Sequence, residues 1–151
     1  MRKIWDWLRS MLHKPSIYLQ YRRFGIFKEL NSFQLYLIHG LMHKREFKAG
    51  EVLFEVGYPM EVVYFVEKGE ICLNDGGQII SKNQVLGLWD LFVGAKRHST
   101  AKAISDVSAF AISRSDFLEL IEAKPAMGIT ILKAICAEIA SEAIRIRSLG
   151  V

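Results

Sequence analysis

The segment 87–100 holds the residue types best suited to binding an anion. Gly87 opens a short apolar turn, and Arg97 precedes the hydroxyl residues Ser99 and Thr100. A guanidinium presents a planar, permanently charged fork that matches phosphate oxygens. Backbone N–H groups left free at the start of a helix also favour negative charge. The pattern therefore predicts a site for a phosphate-bearing ligand.

A structural role for Arg97 is the alternative. An arginine at this position can pair with Asp90, Glu70 or another carboxylate and simply hold the segment in place. Basic residues that bind nothing are common on folded surfaces. The sequence leaves both interpretations open.

The other candidates for chemistry are weaker. His39 and His43 stand four residues apart on a predicted helix, a spacing that a metal site can use, but no nearby acid or cysteine completes a ligand set. Cys72 and Cys136 lack an oxidoreductase spacing and are expected to be small buried hydrophobic residues. No nucleophile–base pair stands in a motif. We therefore expect neither a metal site nor an enzyme.

Composition favours one intracellular globular domain. The chain has 151 residues, of which 51% are hydrophobic and 11% aromatic, enough for a packed core. The net charge is +4, but the basic residues fall in small scattered groups, which argues against nucleic acid as a partner. No apolar run approaches the roughly 20 residues of a membrane span, and charges interrupt any secretory signal. Two distant cysteines are typical of a reduced, cytoplasmic protein.

Helical patterns open the chain. Apolar residues recur at helical spacing over residues 2–13, with mainly basic residues on the other side, and Pro15 is expected to end this helix. A second helical segment is predicted over residues 17–24. Asn31 or Ser32 can cap a third helix. The apolar residues of the third helix are Leu35, Ile38 and Leu41.

Short strands separated by glycine turns follow. The hairpin signal is strongest at Asn74-Asp75-Gly76-Gly77. Strands as short as these, with turns of this kind, favour a sandwich or barrel over a parallel sheet. The predicted strands are residues 52–56, 62–66, 71–73, 78–80, 101–103 and 108–112.

Two helices follow the strands. Ser115 before Asp116 marks a helix start, and Pro125 separates that helix from a longer one. The longer helix has an apolar stripe. The residues of that stripe are Leu132, Ile135, Ile139, Ala143 and Ile146.

This order of elements resembles the cyclic-nucleotide-binding domain of catabolite-activator-type regulators, kinase regulatory subunits and nucleotide-gated channels. The similarity runs from Phe27 to about Ile139. The stretch 47–57 is similar to the family's first strands, 63–71 to its strand–turn–strand, and 87–100 to its phosphate-binding cassette. The resemblance implies an α+β fold, a β-roll (a jelly-roll-like double-stranded β-helix) flanked by N-terminal and C-terminal helices.

The resemblance also implies a division of the chain and a stand-alone domain. Residues 1–24 would form an amphipathic helical extension, and residues 25–151 the family domain with its C-terminal helices. No helix-turn-helix motif follows the last predicted helix, so DNA binding is not expected.

Residue roles are implied by the same resemblance. Gly87 corresponds to the cassette's opening glycine, and Arg97 to the arginine that pairs with the cyclic phosphate. Ser99 and Thr100 correspond to positions that donate to phosphate oxygens. Leu88 departs from the pattern, because the family has a glutamate there that accepts from the ribose 2′-hydroxyl. Losing that hydrogen bond costs roughly ten- to a hundred-fold in affinity, so cyclic AMP and cyclic GMP are expected to bind weakly.

Two further positions in the cassette depart from the family. Lys96 stands where proline is common, and His98 is bulkier than the usual small residue.

Two functions are compatible with the resemblance. The first is a non-catalytic regulatory sensor that holds a cyclic nucleotide or another phosphate-bearing ligand and signals to a partner through its helices. The second is a degenerate domain that binds no nucleotide and acts as a protein-interaction or scaffold module. In the second case Leu88 and Trp89 are expected to fill the domain's own pocket.

The terminal helices are the candidates for partner contacts. In the family the C-terminal helix caps the ligand or pairs two subunits, so Ile135, Ile139 and Ala143 are candidates for a homodimer seam or a contact with another protein. The helix within residues 1–14 suits a membrane surface or a groove on a partner. Packing on its own domain is the alternative. We expect a cytoplasmic protein, with peripheral membrane contact as one option.

Overall fold

The computed structural model of the protein describes residues 1–13, 16–94 and 96–150. The expected end of the first helix at Pro15 lies outside these residues. The chain forms two compact units, one comprising Met1–Leu41 with Ile121–Val151, and the other Met42–Leu120. We call the first the helical unit and the second the β unit. The boundary between residues 24 and 25 stays a prediction.

The β unit is built from short strands, as expected. In the described residues these strands are β1 His43–Phe47, β2 Val52–Phe54, β3 Val62–Lys68, β4 Ile71–Leu73, β5 Ile79–Ile80, β6 Val85–Leu86, β7 Ala101–Ala103 and β8 Val107–Ser113. They form two antiparallel sheets with the orders β1-β8-β3-β6 and β2-β7-β4-β5. The expected β-roll with flanking helices is confirmed.

Large and small side chains alternate in the core that the two sheets share. Aromatic rings come from Phe47, Phe54 and Tyr64, and the centroid of Tyr64 lies 5.8 Å from that of Phe47 and 6.5 Å from that of Phe54. Small side chains on β7 and β8 leave the volume that these rings fill. The small residues are Ala101, Ala103, Ala109 and Ala111.

Two strands lie where none was predicted. β1 is almost entirely polar and exposed, with only Phe47 buried, and it pairs with β8 along its whole length. β6 has two residues, which pair with Tyr64 and Phe65 of β3. The predicted strand 52–56, by contrast, ends at Phe54.

The predicted helix that His39 and His43 share is wrong. The third helix ends at His39, and His43 begins β1. Among the described residues, no cluster of histidine, cysteine, aspartate and glutamate is placed to hold a metal ion.

Six α-helices occur in the described residues. They are α1 Arg2–His13, α2 Ser16–Leu19, α3 Ser32–His39, α4 Leu88–Val93, α5 Arg114–Ala123 and α6 Pro125–Ser148. Asn31 caps α3 as predicted: its side chain accepts from the backbone N–H of Gln34, and the Gln34 side chain accepts from the N–H of Asn31. None of the described helices has the length and apolar character needed to cross a bilayer.

The first turns of α6 are buried within the helical unit, and its later turns are not. Ile131 and Ile135 are buried, and α6 packs on the 3₁₀ turn Gly25–Phe27. Ala143 and Ile146 of the predicted apolar stripe are exposed. The far end of α6 therefore presents apolar side chains to solvent.

The two cysteines differ in their surroundings. Cys72 on β4 is buried, as expected, whereas Cys136 on α6 is exposed. The prediction of two buried cysteines is therefore wrong for Cys136, because this residue falls on the side of α6 that its own unit does not cover.

A histidine within the helical unit makes its stability sensitive to acid. The Nδ1 atom of His39 lies 2.7 Å from the Tyr21 hydroxyl, and Tyr21 is fully buried. Burial lowers the pKa of His39 from its ordinary value of 6.5. His39 therefore takes up a proton at a higher pH in the unfolded chain than in the folded chain, and its contribution to the free energy of unfolding falls as the pH drops below about 6.5.

We expect His39→Asn to reduce this loss of stability. Asparagine retains an oxygen that can accept from Tyr21 but does not titrate, so its free energy of unfolding should change less between about pH 7.5 and about pH 5.5. Urea unfolding followed by circular dichroism measures the difference. The control is His43→Asn, at an exposed position of β1. An acid response equal to that of the unmodified chain would contradict the assignment.

Candidate functional site

The backbone of Arg97 is fixed by the turn that follows β2. Its N–H donates to the carbonyl of Tyr58 at 2.7 Å, and its carbonyl accepts from the N–H of Gly57 at 2.9 Å. Lys96 forms an isolated antiparallel bridge with Pro59 beside these bonds. The position of Arg97 is therefore set by a turn some forty residues earlier in the chain.

The Arg97 side chain lies inside the β unit and not on its surface. The residue is only 4% exposed, and its guanidinium carbon stands 3.8 Å from the centroid of the Phe54 ring. Nη2 donates to the carbonyl of Val62 at 2.5 Å. The cation thus lies over an aromatic face, which attracts it, and donates to a backbone oxygen.

Two of the three guanidinium nitrogens are donors without a hydrogen-bond partner among the described residues. Nε and Nη1 are buried and have no hydrogen-bond partner among the described residues. Buried donors are almost always paired in folded proteins, and each one left unpaired costs about 1–3 kcal/mol. These two nitrogens can donate to a further acceptor, and the positive charge of the guanidinium favours an anionic one.

Gly87 allows the close approach to Nη1. It has a φ of 109°, in the left-handed region, and a Cβ at this position would lie 3.0 Å from Nη1 of Arg97 and 3.3 Å from the Met60 side chain. Any side chain here would be strained and would press on the cation. Gly87 and Arg97, paired by sequence reasoning, are therefore neighbours in the structure.

Asp90 is the nearest carboxylate to the cation. Its Oδ2 lies 3.8 Å from Nη1 of Arg97, and its Oδ1 lies 2.5 Å from Nδ1 of His98. Asp90 is 8% exposed, whereas the His98 side chain is mostly exposed. The structural alternative for Arg97, an ion pair with Asp90, thus has a geometric basis, although the distance is long for a hydrogen bond.

Burial and charge act on Arg97 in opposite directions. Removal from water lowers the pKa of Arg97, and the Asp90 carboxylate opposes that shift. Guanidinium groups stay protonated in proteins, so the site carries a positive charge at physiological pH.

The neighbouring residues Leu88 and Trp89 differ in their exposure to solvent. Leu88, the first residue of α4, is buried at 5% exposure, and Trp89 is exposed at 53%. The expectation that Leu88 is inside is met, and the suggestion that Trp89 also fills the pocket is wrong. Leu88 offers no hydrogen-bond acceptor, because its side chain is a hydrocarbon.

Ser99 and Thr100 are tied to the hairpin between β4 and β5. The Ser99 hydroxyl accepts from Nδ2 of Asn74 at 3.3 Å, and the Thr100 hydroxyl accepts from the N–H of Val56 at 3.0 Å. Both hydroxyls act as acceptors here, so each retains its hydrogen for donation to another oxygen. The backbone N–H of Thr100 donates to Oδ1 of Asn74.

A model of the cyclic nucleotide-binding domain family matches residues 44–124, slightly more than half of the chain. The chain belongs to this family. No curated protein sequence matches it significantly.

Solved structures of similar fold include regulators and binding proteins. The N-terminal domain of a transcriptional regulator from Streptomyces coelicolor is 22% identical, with a TM-score of 0.67 over 82% of this chain and 92% of that one. The sensor domain of the transcriptional regulator DNR from Pseudomonas aeruginosa is 15% identical, with a TM-score of 0.68 over 85% and 93%. A cyclic nucleotide-binding-like protein from Brucella abortus is 26% identical, with a TM-score of 0.55 over 67% and 93%.

The cyclic nucleotide-binding domain has partners around its cassette that sequence reasoning missed. Phe54 and Val62 contact Arg97, and Asn74 contacts Thr100, yet all three lie in strands and turns that precede the cassette. No local pattern marks them as neighbours of the cassette. His98 stands out in the sequence only for its size, and the structure pairs it with Asp90.

Proposed function

We propose that this cyclic nucleotide-binding domain is a non-catalytic regulatory sensor that binds a phosphate-bearing ligand through Arg97. The observation that carries the proposal is the buried guanidinium whose Nε and Nη1 have no partner among the described residues. Gly87 permits the close approach of the backbone to Nη1, and the hydroxyls of Ser99 and Thr100 keep their hydrogens for donation. These groups suit a phosphate.

A cyclic nucleotide fits this site in part. Arg97 would hold the cyclic phosphate, but Leu88 supplies no acceptor for the ribose 2′-hydroxyl, and Asp90 already contacts His98 and faces Arg97. We therefore place cyclic AMP and cyclic GMP first among the candidates, with an affinity reduced roughly ten- to a hundred-fold by the missing acceptor.

Binding of the ligand would be signalled to a partner through the helices. A ligand shifts a conformational equilibrium only by its differential affinity for the two states. Of the predicted seam residues, Ile135 is buried within its own unit. The proposed contact for a partner protein or for a second copy of the chain is therefore the exposed apolar end of α6, with Ala143, Ile144 and Ile146. The proposed location is the cytoplasm, because Cys72 and Cys136 are free thiols, as is usual in a reducing compartment.

A scaffold module that binds no nucleotide is the second candidate. It is favoured by the burial of Leu88 and by the contact between Arg97 and Asp90. In that case Asp90 alone would balance the cation, and the two orphaned nitrogens would be a tolerated cost of the fold.

Titration with cyclic AMP, cyclic GMP and a cyclic dinucleotide separates the two candidates. A site filled at about 100 times its dissociation constant adds about 2.7 kcal/mol of stability, which is a clear thermal shift. Calorimetry and thermal unfolding with each ligand at millimolar concentration should both respond for the sensor. No heat and no shift with any of the three would contradict a cyclic-nucleotide sensor and favour the scaffold module.

A further inference from the structure

Helix α1 exposes to solvent most of the apolar side chains that the structure describes over residues 2–9. Among its described side chains, Ile4 is 51% exposed, Trp5 68% and Leu8 40%. Burying such residues is the main source of stability for an amphipathic helix, and a short helix seldom persists without it. These exposed apolar side chains therefore form a surface whose burial by a partner would be favourable. We call these three residues the α1 apolar row.

The helix is nevertheless attached to its own unit by a different residue. The Trp7 ring lies edge-on to Phe33 of α3, with centroids 5.7 Å apart. Trp7 lies at one edge of the apolar side, so this contact leaves the α1 apolar row free for another surface. The row can be covered without detaching α1 from α3.

The polar side of α1 is basic. Arg2 and Lys3 are exposed, and Asp6 is the only acidic residue between residues 2 and 13. Cations beside an exposed tryptophan and aliphatic side chains are typical of helices that lie in the interface of a bilayer. Each cation near an anionic membrane adds roughly five-fold to the partition. The charge of α1 is thus complementary to anionic lipid headgroups.

We propose that α1 binds the surface of a membrane containing anionic lipid. The helix lies in the plane of the interface, with Ile4, Trp5 and Leu8 below the headgroups and Arg2 and Lys3 beside the phosphates. Tryptophan suits this depth, because its large ring is apolar and its N–H remains hydrated. The domain is thereby brought to the membrane reversibly, since one short helix gives only modest affinity.

Co-sedimentation with lipid vesicles tests this proposal on the full chain. We expect binding to vesicles of phosphatidylcholine mixed with phosphatidylglycerol, and much weaker binding to phosphatidylcholine alone. Trp5→Ala should weaken the partition about ten-fold, as expected from the area of a large apolar side chain. Raising the salt from about 0.1 M to about 1 M should also release the protein, because it screens the contribution of the cations.

Trp89→Ala is the matched control. Trp89 is 53% exposed and lies on α4 in the β unit, so its removal should leave vesicle binding unchanged. Equal losses for both tryptophan variants would overturn the proposal, because they would indicate non-specific adsorption. Absence of binding to the mixed vesicles would also overturn it. Circular dichroism verifies that each variant is folded, and neither variant alters Arg97.

Discussion

Replacing Arg97 with methionine is expected to abolish the thermal shift produced by a phosphate-bearing ligand, with little effect on the fold. Methionine keeps an unbranched stem against Phe54, where the guanidinium carbon now stands 3.8 Å from the ring centroid. It removes two buried nitrogens that have no partner among the described residues, and it also removes a donor from Val62 and a cation from Asp90. Because one partner of a buried ion pair is removed, the variant is expected to be less stable, and the contact that Asp90 keeps with His98 limits the loss.

Arg45→Met is the control for this variant. Arg45 also lies over a core aromatic ring, with its guanidinium carbon 5.9 Å from the centroid of Phe47, but it is exposed on β1. The ligand response of Arg45→Met should equal that of the unmodified chain. A full response from Arg97→Met would show that the cation is not the anion site. The measurement is thermal unfolding with and without cyclic AMP or cyclic GMP.

The largest loss of stability is expected from Gly69→Ala, in the turn between β3 and β4. Gly69 has a φ of 90°, and a Cβ there would stand 2.2 Å from the carbonyl oxygen of Asp106 and 2.9 Å from the Cα of Val107. Both contacts are with backbone, which cannot move aside as a side-chain end does. The strained φ and the overlap together should cost roughly 3 kcal/mol or more, measured by urea unfolding.

Gly76→Ala separates the cost of the strained φ from the cost of the steric overlap. Gly76 has a φ of 81°, but a Cβ added there would have open space around it, with no atom of a more distant residue within 4 Å. Only the strain of the backbone therefore applies, and the cost should be about 1–2 kcal/mol. Similar losses for both variants would contradict the tight approach of Asp106 to Gly69.

The central strands and the hairpin were predictable because their signals are local. Residues 62–66 form a β-branched and aromatic run, and β3 covers them. Asn74, Asp75 and Gly76 all adopt positive φ, as a hairpin signal of this composition requires. In both places the chemistry of neighbouring residues determines the conformation.

Strands β1 and β6 were not predictable for the opposite reason. β1 carries His43, Lys44, Arg45 and Glu46, which show no apolar alternation, because an edge strand with exposed side chains needs none. β6 is too short to have a period. Both strands exist because β8 and β3 offer backbone partners, and a single sequence does not reveal such pairing.

The candidate site was predictable in its parts and not in its geometry. The segment 87–100 identified Gly87 and Arg97, which the structure brings together. It gave no reason to expect that the guanidinium lies on Phe54 instead of facing solvent, since that contact depends on how β2 packs in the core. How deeply Arg97 is buried depends on how the two sheets pack, and the residues of segment 87–100 do not show it.

The backbone hydrogen bonds that join Arg97 to Gly57 and Tyr58 have an evolutionary consequence. They involve main-chain atoms alone, so Lys96 can occupy a place where the family commonly has proline without moving the arginine. Homologous genes are therefore free to exchange side chains on either side of the cation. An insertion or deletion in the 57–59 turn would not be tolerated in the same way, because it would shift the register of both hydrogen bonds. The guanidinium of Arg97 would then move away from Phe54 and Val62.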